Sequence, residues 1–205
     1  GLTERVHVAY NMLDEQAIRR RKDEPVDDIP KGEFLMVSVG SLIPRKGFER
    51  LIHVCGLLKS RGYHFHLLIL GKGELYENLV MQVIDEHLQG SVQLLGFRDN
   101  PYPYMAAADL YVCPSYVEGF STVVSEAVVL ETPVVTTDCS GMREILGDSE
   151  YGLITQNTEE SLFEGLRTML DKPEVYQYYQ QRVRERAPFF YMEERLKAYE
   201  EILDQ

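Results

Sequence analysis

Two carboxylates, Glu118 and Glu126, flank the stretch Gly119-Phe120-Ser121-Thr122. A bend through Gly119 to Thr122 can turn backbone N–H groups towards an anion. Ser121 or Thr122 can cap the helix that follows. A carboxylate early in that helix can accept two hydrogen bonds from a vicinal diol such as a ribose, or can simply complement the helix dipole. A second cluster is Gly40-Ser41-Leu42-Ile43-Pro44-Arg45-Lys46-Gly47-Phe48, a glycine-bounded loop with two adjacent cations at the start of a helix. Free N–H groups, a positive dipole end and two cations suit a diphosphate; an ordinary turn with solvated Arg45 and Lys46 is the other reading. The Walker pattern is absent. A third loop, Gly71-Lys72-Gly73-Glu74-Leu75-Tyr76, has Tyr76 where a dinucleotide fingerprint needs its third glycine, so a nicotinamide site is not expected. No Asp-x-Asp occurs. His64 and His66 share a strand face, as a chelating pair or as a packed, half-exposed one.

These loops need a scaffold that brings them together. Each follows a short apolar run: Phe34–Val39, Phe65–Leu70, Val92–Leu95, Asp109–Cys113 and Val134–Thr137. The first two runs are nearly continuous rather than alternating, as in strands buried on both faces of a parallel sheet. Gly40, Gly71, Gly96, Pro114 and Asp138 end the runs. Between them lie helical patterns: Phe48, Leu51, Ile52, Cys55 and Leu58 form one apolar face, and Leu75–Leu88 and Thr122–Leu130 read alike. This alternation predicts a doubly wound α/β fold, with ligands beyond the carboxyl ends of the strands. Val6–Tyr10 reads as a short strand, 14–33 as a solvated helix and linker, and about 159–171, 174–187 and 193–203 as helices. In 14–33, Arg19-Arg20-Arg21-Lys22 faces Asp23, Glu24, Asp27 and Asp28, or forms a phosphate patch. The aromatics Tyr176, Tyr178, Tyr179, Phe189, Phe190, Tyr191 and Tyr199 are core contacts or a docking surface.

Composition narrows the function class. The 205 residues carry 21 Lys and Arg against 33 Asp and Glu, a net charge of −12. A sequence pI near 4.9 argues against duplex nucleic acid or an anionic membrane as the main partner. A hydrophobic content of 44% fits an ordinary folded domain. Cys55, Cys113 and Cys139 are too few for a disulfide framework or a zinc site, and Cys55 and Cys113 read as inert core thiols in a reducing compartment. No apolar run is long enough to span a membrane, and no signal peptide is seen. The Gly1-Leu2-Thr3 start suggests a processed or excised piece.

Glu118 and Glu126, spaced Glu-x7-Glu around Gly119-Phe120-Ser121, resemble the signature of the family-4 retaining glycosyltransferases of the GT-B fold. Val39-Gly40-Ser41-Leu42, Pro44-Arg45-Lys46-Gly47 and Leu70-Gly71-Lys72-Gly73 resemble that family's motifs. Val92 to Gly96, Ala108-Asp109-Leu110, Pro114-Ser115, Pro133-Val134-Val135, Thr137 to Glu144 and Tyr151-Gly152-Leu153-Ile154 follow in its order. The resemblance covers nearly the whole chain, including Val6 to Asn11 as the family's interdomain junction.

The resemblance implies the C-terminal, donor-binding half of such an enzyme: a Rossmann-like doubly wound parallel sheet with extra C-terminal helices. Residues 1–33 would be the junction strand and linker helix, 34–172 the nucleotide-sugar-binding domain, and 173–205 helices packing on a missing N-terminal acceptor-binding domain, with apolar area exposed near 189–191. The ligand would be a nucleotide-diphosphate sugar, a UDP-sugar before others, with no cofactor and, since no Asp-x-Asp occurs to clamp one, no metal expected. Lys46 would neutralise the diphosphate with Arg45 as helper, and Glu118 would sit by the donor sugar and phosphate. Glu126 would hold the ribose. Gly119, Phe120, Ser121 and Thr122 would meet sugar and phosphates, with Gly40, Ser41 and Gly71 lining the donor site. Phe97 and Arg98 would edge the base. Many members carry arginine where this chain has Ser41; Arg45 is the substitute at hand, or donor affinity or nucleotide choice differs. The fragment alone is expected to be inactive. The whole enzyme is expected in the cytoplasm or at the inner face of the membrane, any membrane association running through the missing half. Rival readings are a non-catalytic nucleotide-sugar-binding module or degenerate regulatory half, a GT-B-type epimerase fragment, and a protein-interaction domain.

Overall fold

The computed structural model describes residues 13–192. Six parallel strands form one sheet: β1 (Phe34–Val39), β2 (Phe65–Leu70), β3 (Val92–Gly96), β4 (Leu110–Cys113), β5 (Val134–Thr137) and β6 (Leu153–Thr155), in the order β3-β2-β1-β4-β5-β6. β1 and β2 pair along their full lengths, from Phe34 against Phe65 to Val39 against Leu70. The winding reverses between β1 and β4, so the loops after these strands diverge and leave a crevice.

Both faces of the sheet are covered, which explains the continuous apolar runs. Leu35, Val37, Leu68, Leu70, Tyr111, Cys113 and Val134 belong to one core. It is closed by α1 (Glu15–Arg21), α4 (Tyr102–Ala107), α5 (Thr122–Val129) and α6 (Met142–Leu146). The alternate residues Met36, Leu67, Ile69, Leu110, Val112 and Val135 build the other core. There α2 (Phe48–Ser60), α3 (Tyr76–Asp85) and α7 (Glu159–Asp171) pack. The face of α2 expected from its spacing is fully buried. α8 (Pro173–Arg186) serves both sides, giving Tyr179 to the second core and Val183 to the first.

Several expectations need correction. The 14–33 segment is docked rather than simply solvated: α1 buries Glu15 and Ile18, with Asp14 accepting from the Ala17 N–H as its cap. Its cations turn mostly to the main body, Arg21 to Asp99 and Arg19 to Glu131, while Asp28 takes Arg98. Only Arg21–Glu24 pairs within the segment. The apolar area expected to be exposed near 189–191 is largely covered: Phe190 is buried in the first core, with Phe189 and Tyr191 half-buried against it. Short elements went unread. α4 is hidden by Pro101 and Pro103, which act as breakers in a local pattern yet fit its first turn. α6 and β6 have only five and three residues. The strand at 6–10, the helix at 193–203 and Tyr199 lie outside the described residues.

Candidate functional site

A cleft of about 300 Å³ opens at the carboxyl ends of β1, β2 and β3. Gly40, Ser41, Gly71, Phe97, Arg98 and Glu126 line it with Val39, Leu70, Lys72, Asp99, Pro101 and Val123. The glycines let two loops close on each other. A Cβ on Gly71, whose φ is +155°, would stand 1.8 Å from the Gly40 carbonyl oxygen. The Gly40 N–H donates to the Leu70 carbonyl and the Leu42 N–H to the Lys72 carbonyl, at 3.0 and 2.9 Å.

Lys46 ends a short 3-10 turn, Pro44–Lys46, and Gly47 at φ +69° starts α2. Its ammonium lies 2.5 Å from Glu118 Oε1, which also accepts from the Ser115 hydroxyl at 2.6 Å. Arg45 Nη1 is 4.0 Å from Glu118 Oε2. The side chains of Glu118 and Lys46 are 7% and 17% exposed, and that of Arg45 53%. One buried carboxylate thus fixes an ammonium with a second cation at the rim. Lys46, Glu118, Ser115 and Ser121 line a small niche that shares Val39 and Val123 with the main cleft.

Arg50 supports this niche from below and escaped the sequence reading. It is 3% exposed. It donates to the Pro114 and Ser115 carbonyls at 2.6 Å each and to Asn157 Oδ1 at 2.8 Å. Its guanidinium carbon lies 3.9 Å from the Tyr116 ring centroid. Among the described residues no carboxylate comes within ion-pair distance of it, and burial holds its pKa below the ordinary arginine value. Asn157 returns a bond to the Tyr116 carbonyl. The loops after β4 and β6 are therefore tied to α2, the helix that follows the Lys46 turn.

On the other wall, Ser121 caps α5, its hydroxyl accepting from the Val124 N–H. Glu126 follows one turn later and accepts from the Tyr102 hydroxyl at 3.1 Å. Burial raises the Glu126 pKa against the opposing effect of that hydrogen bond. Burial, then the Glu126 charge, pushes Tyr102 up to about 12. Tyr102 also went unnoticed, since Pro101-Tyr102-Pro103 reads locally as loop. Gly119 and Thr122 are exposed, and Phe120 is half-buried against the first core. Gly141, at φ +80°, packs so closely that a Cβ would meet the Gly119 carbonyl at 2.6 Å.

Phe97 is 58% exposed, with the Lys72 ammonium 4.8 Å from its ring centroid. Arg98 is held by Asp28 at 2.9 Å and by the Tyr104 hydroxyl at 3.2 Å. Of the predicted residues, Gly40, Ser41, Gly71, Phe97, Arg98 and Glu126 line the main cleft and Lys46, Glu118 and Ser121 the niche beside it, while Arg45, Gly119, Phe120 and Thr122 line neither. Among the described residues no group of three or more His, Cys, Asp and Glu is arranged to hold a metal ion. His64 and His66 both approach Glu33, at 3.6 and 3.8 Å, and β2 starts only at Phe65. The three cysteines are buried. No helix among the described residues is long and apolar enough to cross a membrane.

A family model described as glycosyl transferases group 1 matches residues 19–186. The chain is 36% identical over 185 residues to the Campylobacter jejuni N-acetylgalactosamine-N,N'-diacetylbacillosaminyl-diphospho-undecaprenol 4-alpha-N-acetylgalactosaminyltransferase, covering 89% of this chain and 49% of that one. It is 32% identical over 164 residues to the putative teichuronic acid biosynthesis glycosyltransferase TuaC of Bacillus subtilis, covering 78% and 39%. The chain therefore spans at most about half the length of these relatives. Among solved structures, Anabaena HepE in complex with UDP superposes with a TM-score of 0.80 at 21% identity, over 97% of this chain and 57% of that one. WaaG, a glycosyltransferase involved in lipopolysaccharide biosynthesis, does so with 0.71 at 25% identity, over 87% and 48%.

Proposed function

The chain belongs to the group 1 glycosyl transferases, and from that premise we propose that it is a donor-binding half that holds a nucleotide-diphosphate sugar. The observation that carries the proposal is the adjacency of two unlike sites, a niche and a cleft that share Val39 and Val123. One is a cation pair anchored on a buried carboxylate; the other is a half-buried carboxylate within reach of a diol. The diphosphate lies against Lys46 and Arg45. Lys46 spends one donor on Glu118 and keeps two for phosphate oxygens. Glu126, steadied by Tyr102, takes the ribose hydroxyls. The base lies by Phe97 and Arg98, and the sugar by Glu118 and the Gly119–Thr122 bend.

Catalysis in the whole enzyme is electrostatic. As the sugar leaves, negative charge builds on the departing diphosphate. Lys46, held in place by Glu118, meets that charge without reorganising. The reaction needs no metal or other cofactor and keeps the anomeric configuration. The acceptor is a glycan or lipid-linked saccharide bound by a second domain, and this chain by itself completes no transfer. UDP is the favoured nucleotide because HepE, which shares the fold, was solved with UDP. The site of action is the cytoplasm or the inner membrane face, in keeping with the lipid-linked acceptor named for the Campylobacter relative.

Calorimetric titration with UDP and GDP, first without metal and then with magnesium, tests the proposal. The expected result is saturable, metal-independent binding of one of them with Kd between about 1 μM and 1 mM. Lys46→Met and Glu126→Gln should each weaken it. Absence of binding by both nucleotides refutes the assignment.

A further inference from the structure

Four charged side chains line the main cleft: Lys72, Arg98, Asp99 and Glu126. Three are engaged by the protein itself. Arg98 is held by Asp28 and Tyr104, Asp99 by Arg21, and Glu126 by Tyr102. Lys72 is different. Among the described residues no carboxylate lies within ion-pair distance of its ammonium, although the chain carries twelve more acidic than basic side chains. The ammonium rests instead on the exposed Phe97 ring, 4.8 Å from its centroid. Such a contact at an exposed site is weak. A charge-assisted hydrogen bond to a phosphate oxygen is stronger and shorter.

The backbone at Lys72 is tied down while its side chain is exposed. Its carbonyl accepts from the Leu42 N–H, which ties it to the Gly40–Leu42 loop. Gly71 and Gly73 pack against that loop so tightly that a Cβ on either would stand within 2.3 Å of a backbone oxygen. The four-carbon stem therefore starts from a set point beside Ser41, carrying three donors on a flexible arm. Lys46 reaches the niche from the loop after β1, and Lys72 reaches the adjoining cleft from the loop after β2.

We propose that Lys72 is a further phosphate-binding residue beside Lys46 and Arg45, which leaves the Phe97 ring for the donor's diphosphate and frees that ring for the base. This inference rests on the donor-site reading above. Two consequences are separable: Lys72 acts on ligands that carry phosphate, and it does so without contributing to the fold.

The test is calorimetric titration of the 205-residue chain and its Lys72→Met and Lys72→Arg variants. The probes are UDP and GDP, with uridine and guanosine as phosphate-free controls. Lys72→Met should raise the diphosphate Kd about tenfold, a factor within reach of one charge-assisted contact. It should leave nucleoside affinity and Tm unchanged, and Lys72→Arg should bind like the wild type. Wild-type protein that binds neither diphosphate overturns the donor-site reading and this inference with it. Wild-type binding that Lys72→Met retains overturns this inference alone. An equal loss for diphosphate and nucleoside also overturns it, because it assigns Lys72 to the base side.

Discussion

Replacing Arg50 with methionine isolates the buried support beneath the candidate diphosphate niche. The substitution removes four hydrogen bonds, but their loss is unequal. The Ser115 carbonyl keeps the Thr137 hydroxyl at 2.5 Å and the Cys139 thiol at 3.1 Å. Asn157 lies near the surface and can turn to water. The Pro114 carbonyl, packed under Gly47, loses the side-chain donor that serves it. A buried acceptor left without a partner costs about 1–3 kcal/mol. The lost stacking on Tyr116 adds about 1 kcal/mol. Removing a buried charge returns part of its desolvation penalty, a penalty visible in the depressed Arg50 pKa. The balance is a destabilisation of about 2 kcal/mol, or roughly 4–8 °C in Tm for a domain of this size. The Arg50→Lys variant keeps one charged donor but neither the fork nor the planar stack, and should fall between. Calorimetric melting at pH 7 reads both variants. The Arg50→Met variant should also weaken nucleoside diphosphate binding, because Ser115 and Tyr116 lead directly to Glu118. A Tm within about 1 °C of the wild type would refute the reasoning, since it would mean that the fork closes no buried acceptor.

Other substitutions probe the two walls. Burial raises the Glu126 pKa in the folded state above its unfolded value, so the folded protein binds the extra proton. The stability tied to that proton is present below the unfolded pKa and is lost as pH rises through the folded one. Glu126→Gln should therefore gain stability relative to wild type as pH rises past that window, while losing roughly tenfold or more in nucleoside diphosphate affinity; Tm measured from pH 4 to 8, with titration at pH 7, checks both. Gly71→Ala should cost about 3 kcal/mol or more, because its Cβ would overlap the Gly40 carbonyl at a φ that disfavours a side chain. Gly119→Ala meets no atom within 4 Å and should melt like the wild type while weakening donor binding, as paired melting and titration will read.

The main strands and the larger helices were legible because hydropathy period is a local property. The continuous run at Phe34–Val39 announced burial on both faces, and the spacing of Phe48, Leu51, Ile52, Cys55 and Leu58 announced the buried face of α2. Alternation of such elements leaves few topologies, and the sheet order puts the loops after β1 and β4 at the reversal. Lys46, Glu118 and Glu126 could be named from loop chemistry alone. Short elements escaped because α6 and β6 are too brief to show a period, and because prolines disguise α4. The aromatics at 189–191 carried no sign of which surface they would meet; the fold turned them onto their own core.

What only the tertiary structure decided are the partnerships. Lys46 and Glu118 lie 72 positions apart, Arg50 and Asn157 107, Arg98 and Asp28 70. Nothing in a short window of sequence marks an arginine inside an amphipathic helix as a buried clamp, or a tyrosine between prolines as the donor that holds a carboxylate. Residue type and local period determine what an element is. Side-chain partners depend on which strand ends the parallel winding brings together, and that is a property of the whole sheet.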